Sequence, residues 1–354
     1  VGKNALATTT TADNNTAVGF QALNANTSGT RNSAVGKDAL KTATTGSFNV
    51  AMGTFAADAL TTGASNIAIG DASLSTLTTG DDNVAVGQAA LFACTGSNNT
   101  AVGSDALVAN TSASNNTAVG YQALLDNTTG ASNTSVGYRS LYNNTTGQQN
   151  TALGAESLYT NSTGNGVVAV GRQALFASTA SDNTAIGHNV MVANTSGTLN
   201  VAIGGGVYGS TGGALSANTT GSYNTAAGHS ALAANTTGAN NVSVGYAALY
   251  SNTTANNNTA VGYQAMYSNT TGAENVAVGQ GALDAATTGD YNTGIGTGAL
   301  SDHTTGSRNV AVGRNSLGSN TTASDNTALG YNSLVLNTTG NALVAVGGLA
   351  LDAN

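Results

Sequence analysis

Three histidines and one cysteine are the side chains of this 354-residue chain best suited to hold a metal or to serve as base and nucleophile. His188 and His229 each directly follow a glycine, His303 sits in an Asn/Thr/Gly corner, and Cys94 stands alone. A zinc site needs several Cys, His or carboxylate ligands converging on one point, and no two of these lie at ligand spacing. The histidines therefore read as solvated side chains in variable surface columns. Sixteen acids are too few and too scattered for a calcium-binding β-roll, which needs an aspartate in each coil. No recurring carboxylate pair and no G-x-S-x-G elbow marks a catalytic site. The expectation is a chain with no catalytic residue, no metal and no cofactor.

The remaining chemistry is that of recognition. The net charge of −8, with only 8 basic residues, supplies no basic stripe for a phosphate backbone, so nucleic acid is an unsuitable partner. No apolar run approaches the roughly 20 residues that span a bilayer, so this segment is expected not to insert in a membrane. Aromatic residues are the candidates for a receptor or an interface. Tyr208 lies on a glycine-rich excursion, G-G-V-Y-G-S-T-G-G, that the rest of the sequence does not share. Tyr142, Tyr159 and Phe176 belong to a stripe that also holds Phe92, Val108, Leu125 and Val192, and an apolar stripe suggests subunit packing. Tyr121, Tyr138, Tyr246, Tyr263 and Tyr331 directly follow glycines and offer rings for stacking on sugars. Asn127, Asn235 and Asn269 each lie in an Asn-Thr-Thr sequon, an acceptor for glycosylation in a secretory setting.

A repeat must position all of these. The phrase Asn-Thr-Ala-Val-Gly, or a close variant, ends on a glycine at Gly2, Gly19, Gly36 and so on to Gly347, and nearly every interval is 17 residues. The array thus covers 1–354 as a single unit with one seven-residue insertion within 205–213, and it reads as a piece of a longer chain. Positions are numbered here from the repeat glycine, taken as 0. Positions −3 and −1 are largely β-branched (Thr16 and Val18, Ile67 and Ile69), which is the grammar of a strand. Position −2 is nearly always Ala, so one face of that strand is almost bare. Leu recurs at +4 and predicts a second short strand that faces the same core. Asn at −4 and the Asn-Thr-Thr-Gly phrase mark corners, where left-handed backbone angles are tolerated, and stacked asparagines can form amide ladders.

Two strand-like phrases in 17 residues predict an all-β fold: a parallel β-solenoid or β-roll of about 21 coils, each rising by roughly 4.8 Å. With 5% aromatic residues and no Trp, the core is thin. Burying one Val and one Leu per coil falls short of the entropy of ordering 17 residues. Further burial is needed, and the bare Ala/Gly face is the expected place for it, which makes the chain an elongated homo-oligomer.

The phrase N-x-A-[VI]-G-x-x-A, as in Asn275 to Ala282, resembles the head repeats of trimeric autotransporter adhesins and related repeats of bacteriophage tail fibres. The resemblance runs along essentially the whole chain, although the 17-residue period exceeds the family's usual fourteen or so, with the surplus in the Asn-Thr-Thr-Gly corner. It implies a left-handed parallel β-roll in a homotrimer. The function it implies is a structural and adhesive fibre segment, extracellular on a virion or cell surface, that presents or contributes to receptor binding. Its partners would be copies of itself, in a homotrimer or filament, and a cell-surface glycan or protein receptor. The alternatives are a self-assembling extracellular filament and a single-chain solenoid that binds glycan or ice along one flat face.

Overall fold

The computed structural model describes residues 1–207 and 212–353 and is a parallel β-solenoid of twenty three-residue strands, with no helix among the described residues. The chain divides into two compact units. The N-terminal unit, Val1–Arg172, carries β1 (Thr16–Val18) through β10 (Val168–Val170), and the C-terminal unit, Gln173–Asn354, carries β11 (Thr184–Ile186) through β20 (Val344–Val346). Within each unit every strand pairs in parallel with the next at matching repeat positions, as in Thr16↔Ser33, Ala17↔Ala34 and Val18↔Val35, or Val242↔Thr259, Ser243↔Ala260 and Val244↔Val261. Each column of the repeat therefore becomes a physical column of side chains.

The strands face the opposite way from the sequence expectation. The middle residue, usually Ala, is buried, and its larger neighbours point outward: Ala34, Ala68 and Ala152 are 0% exposed, whereas Val18, Met52 and Leu153 are 44–50% exposed. The interior is too narrow for anything larger. At Gly294, which takes the place of Ala, an added Cβ would already lie 3.3 Å from the Leu283 side chain and 3.1 Å from the Ala299 carbonyl. Ser135 and Ser243 fit the same position by donating their hydroxyls to the Ser140 and Ala248 carbonyls at 2.8 and 2.7 Å. The Ala/Gly face is thus the inside of the coil and not a subunit contact.

The second strand is also absent, and a zigzag of left-handed residues stands in its place. Positions +2 and +4 both have positive φ, as in Gln21 (55°) and Leu23 (51°), or Gln122 (55°) and Leu124 (56°). Each such residue turns its peptide plane so that the N–H points along the stack. Gln21 donates to the Lys3 carbonyl of the preceding coil at 3.0 Å, and Leu23 donates to the Ala39 carbonyl of the following coil at 2.9 Å. This geometry costs a leucine roughly 1–2 kcal/mol. Full burial of its side chain, worth about 1.5–3 kcal/mol, offsets that cost, and Leu23, Leu74 and Leu124 are all 0% exposed.

Two asparagine ladders run inside the coils, as the corner composition suggested. At −4, the Asn49 side chain donates to the Gly63 carbonyl at 2.9 Å, and its Oδ1 accepts the Asn66 backbone N–H at 2.9 Å. At +7, Asn144 donates to Asn127 Oδ1, and Asn127 to Asn110 Oδ1, each at 2.7 Å. The repeat glycines form a further column. Gly120 has φ +136°, and a Cβ there would collide with the Gly137 carbonyl of the next coil, so only glycine meets both requirements.

Candidate functional site

The tyrosines assemble into short stacks, because equivalent positions of successive coils lie one strand spacing apart. At +1, Tyr121 stacks on Tyr138 with ring centroids 5.8 Å apart, and His229 on Tyr246 on Tyr263 at 5.6 and 5.3 Å. At +5, Tyr142 stacks on Tyr159 at 5.0 Å and Tyr250 on Tyr267 at 5.2 Å. All five pairs lie within 14° of parallel. A ring inside a stack spends its faces on its neighbours and shows solvent its edge and hydroxyl, so only the end of a stack offers a face to a sugar.

The +1 and +5 columns meet at Arg139 in the N-terminal unit. Its guanidinium lies 5.1 Å from the Tyr138 ring and 5.5 Å from the Tyr142 ring, and its Nε donates to Gln122 Oε1 at 2.9 Å. Desolvation, reinforced by the nearby Asp126 carboxylate, pushes the Tyr142 phenol up from its usual value. Tyr142 and Tyr159 are half-buried members of this patch. Phe176, likewise half-buried, belongs to the C-terminal unit. Tyr208 lies outside the described residues.

One cavity of about 510 Å³ opens in the C-terminal unit, lined by Val192, Ala193, Gly212, Ser216, Ala217, His229, Ser230, Ala233, Ala234 and Tyr250. Its size is that of a small-molecule site. Ser230 Oγ donates to the Gly212 carbonyl at 2.9 Å and lies 2.9 Å from His229 Nδ1. His229 Nε2 is buried with no hydrogen-bond partner. Sequence reasoning had set His229 aside as a solvated side chain, and Ser216 and Ala233 carried no signal beyond being small.

The sequon asparagines lie indoors. Asn127, Asn235 and Asn269 are 0% exposed and belong to the +7 ladder, where Asn235 donates to Asn218 Oδ1 at 2.8 Å and to the Gly238 carbonyl at 3.0 Å. In the folded chain these amides are out of reach of a glycosyltransferase. His303 and Cys94 occupy rungs of the same ladder. His303 is 0% exposed, not solvated, with Nε2 2.7 Å from the Gly306 carbonyl. Burial lowers its pKa from the ordinary 6.5. Cys94, also 0% exposed, accepts from Asn110 at 3.6 Å, and burial pushes its thiol up, away from the reactive thiolate. Among the described residues no three His, Cys, Asp or Glu side chains cluster as metal ligands.

No protein-family model matches the chain, and no curated protein matches it.

Proposed function

We propose that this chain is a structural and adhesive fibre segment that associates with copies of itself through the outward face of its strands and presents recognition sites on its other columns. The observation that carries the reading is the pair of uncovered columns at −3 and −1. Val18, Met52, Leu153, Ile203 and Leu329 stand 44–50% exposed on an in-register sheet, and an apolar surface repeated coil after coil favours a partner. A face with a period of one coil is best complemented by a surface of the same period, and another copy of this chain supplies one. Assembly also supplies the burial that a core of Ala, Leu and Asn lacks. A homotrimer is the expected closed form, and an extracellular position on a virion or cell surface is the setting such a fibre serves.

Multi-angle light scattering of the purified chain tests this. A mass near three times 34.4 kDa is expected, and a stable folded monomer would overturn it. That monomer would favour a second reading, a single-chain solenoid that binds glycan or ice on the same face. Its support is the run Thr100, Thr117, Thr134 and Thr151, whose strands turn these residues outward on successive coils.

A further inference from the structure

The Asn-Thr-Thr-Gly corner carries two hydroxyl columns, and only one of them serves the fold. At +8 the threonines are tied to the next coil: Thr27, Thr128 and Thr236 donate their hydroxyls to the Thr44, Thr145 and Thr253 carbonyls at 3.1, 2.9 and 3.0 Å. Side chains at +11 are used as well, since Ser47 and Ser307 accept the backbone N–H of Thr30 and Asp290 at 3.0 and 3.1 Å. Position +9 stands between them and is exposed in every coil that contains it. Its residue is Thr throughout, except for Ser28, Ser112 and Ser196. Among the described residues no +9 hydroxyl bonds to any other part of the chain. The backbone there is satisfied without it: the N–H groups of Thr129 and Thr237 donate to the Thr145 and Thr253 carbonyls at 3.1 and 3.2 Å. The N–H two residues on, which a hydroxyl-capped turn would use, is spent on the next coil, as at Thr30.

An exposed position that the fold does not constrain varies, as −5 does, where Arg31, Phe48, Asp82, Gln149 and Tyr291 share one column. Position +9 does not vary in that way. A requirement for β-branching would admit Val and disfavour Ser, and a requirement for polarity alone would admit Asn, Gln, Asp or Lys. None of these occurs there. Ser and Thr share only an alkyl hydroxyl, which is an acceptor for group transfer. The group that suits this column is neutral and hydrophilic. Phosphoryl groups would each bring a charge of about −1.5 to −2, at a strand spacing of roughly 4.8 Å, to a chain of net charge −8 with no Lys or Arg at +8 to +11 of any coil to receive them. Fatty acyl groups would hold hydrocarbon in water.

We propose that the +9 hydroxyls are acceptors for O-linked glycosylation, with a nucleoside-diphosphate sugar as donor and a transferase that reads the Thr-Thr-Gly corner of the folded coil. In the transfer, Oγ bonds to the anomeric carbon as the bond from that carbon to the diphosphate oxygen breaks. The nucleoside diphosphate leaves with the electron pair, and the hydroxyl proton passes to a base of the transferase. Nothing is oxidised or reduced. Acceptors one strand spacing apart crowd one another, so fewer than all of them carry sugar. The corner is separate from the outward face of the strands, so the modification leaves that face free and does not rest on the assembly.

Intact-mass spectrometry tests this by comparing the chain purified from the cells that naturally produce it with the same chain made by cell-free synthesis. The natural chain is expected to be heavier by whole saccharide residues, to lose them on alkaline β-elimination, and to yield fragments that place them at +9. Equal masses, a phosphate increment, or sugar on +8 as often as on +9 would each refute the proposal. Urea unfolding of the cell-free chain checks that these hydroxyls are free. Replacing Thr220, Thr237, Thr271 and Thr288 together by Val should leave the midpoint unchanged. The same change at Thr219, Thr236, Thr270 and Thr287, which donate to the next coil, should lower it. An equal loss in both variants would assign the +9 hydroxyls to the fold and so overturn their role as acceptors.

Discussion

At the scale of single residues, the interior amides tie each coil to its neighbours. Asn235 illustrates this: it donates to Asn218 Oδ1 and accepts from Asn252 at 2.9 Å. Asn235→Ala strands an acceptor on one side and a donor on the other, each at a cost of about 1–3 kcal/mol. A loss of about 3 kcal/mol in urea unfolding is expected, and a loss below about 1 kcal/mol would show that the ladder is not structural. The same burial predicts that the folded chain, incubated with an oligosaccharyltransferase and its lipid-linked donor, takes up no sugar on Asn127, Asn235 or Asn269 by intact-mass measurement. His303 replaces an amide by an ionisable ring whose partners, the Gly306 carbonyl and the Asn320 amide, are uncharged. Its folded pKa lies below 6.5, so as pH falls through that value the unfolded chain binds the proton first. The residue's contribution to stability is whole above about pH 6.5 and declines below it until the lowered folded value is reached. His303→Asn restores the rung and should reduce the fall in melting temperature between pH 7.5 and 5. An unchanged fall would remove the residue from the acid response.

At the scale of the coil, the repeat glycine is the least replaceable position. Gly245, at φ +129° and against the Gly262 carbonyl of the next coil, combines backbone strain with a backbone collision. Gly245→Ala is expected to cost about 3 kcal/mol or more, and differential scanning calorimetry showing a change under about 1 kcal/mol would contradict that account. The period, the parallel stacking and the asparagine ladders were legible in the sequence, because each follows from one residue type recurring at one spacing; the invariance of this glycine was visible too, but it was assigned to a bare face and not to its positive φ and close backbone approach. The direction of the strand faces was not. Strand alternation says that −3 and −1 share a face but not which face, and choosing the larger side chains for the core assumes room that the Leu283 contact at Gly294 denies. The left-handed leucines were equally hidden, since nothing in Leu itself favours positive φ. The cavity beside His229 was invisible for a third reason: it is made by what Ser216 and Ala233 lack relative to Tyr250.

At the scale of the whole molecule, the outward face is the surface on which the proposed assembly depends, and in the C-terminal unit that face carries a second period. Position −3 alternates without exception: Thr184, Val201, Thr225, Val242, Thr259, Val276, Thr293, Val310, Thr327, Val344. Copies packed level with one another would set Val against Val and Thr against Thr. A slip of one coil would set each hydroxyl against a methyl surface and leave it without a partner, at roughly 1 kcal/mol or more per buried mismatch. Alternation therefore specifies the register of the proposed assembly in steps of two coils, as a single polar layer does in a coiled coil. Val278→Lys, on an outward position 36% exposed, should leave the circular dichroism at low temperature unchanged while shifting the mass from three chains toward one and lowering the melting temperature, because the burial gained on assembly is lost. Register is read by oxidative cross-linking. Val276→Cys alone should give a disulfide-linked dimer band. Mixing it with Thr293→Cys should give at most a small fraction of hybrid links, because level packing keeps the two positions one coil apart; Cys94 is sealed inside and does not compete. Hybrid links as abundant as the matched ones would mean that the copies slide and that the alternation sets nothing, whereas matched links alone would make the Thr and Val layers the device that aligns the fibre.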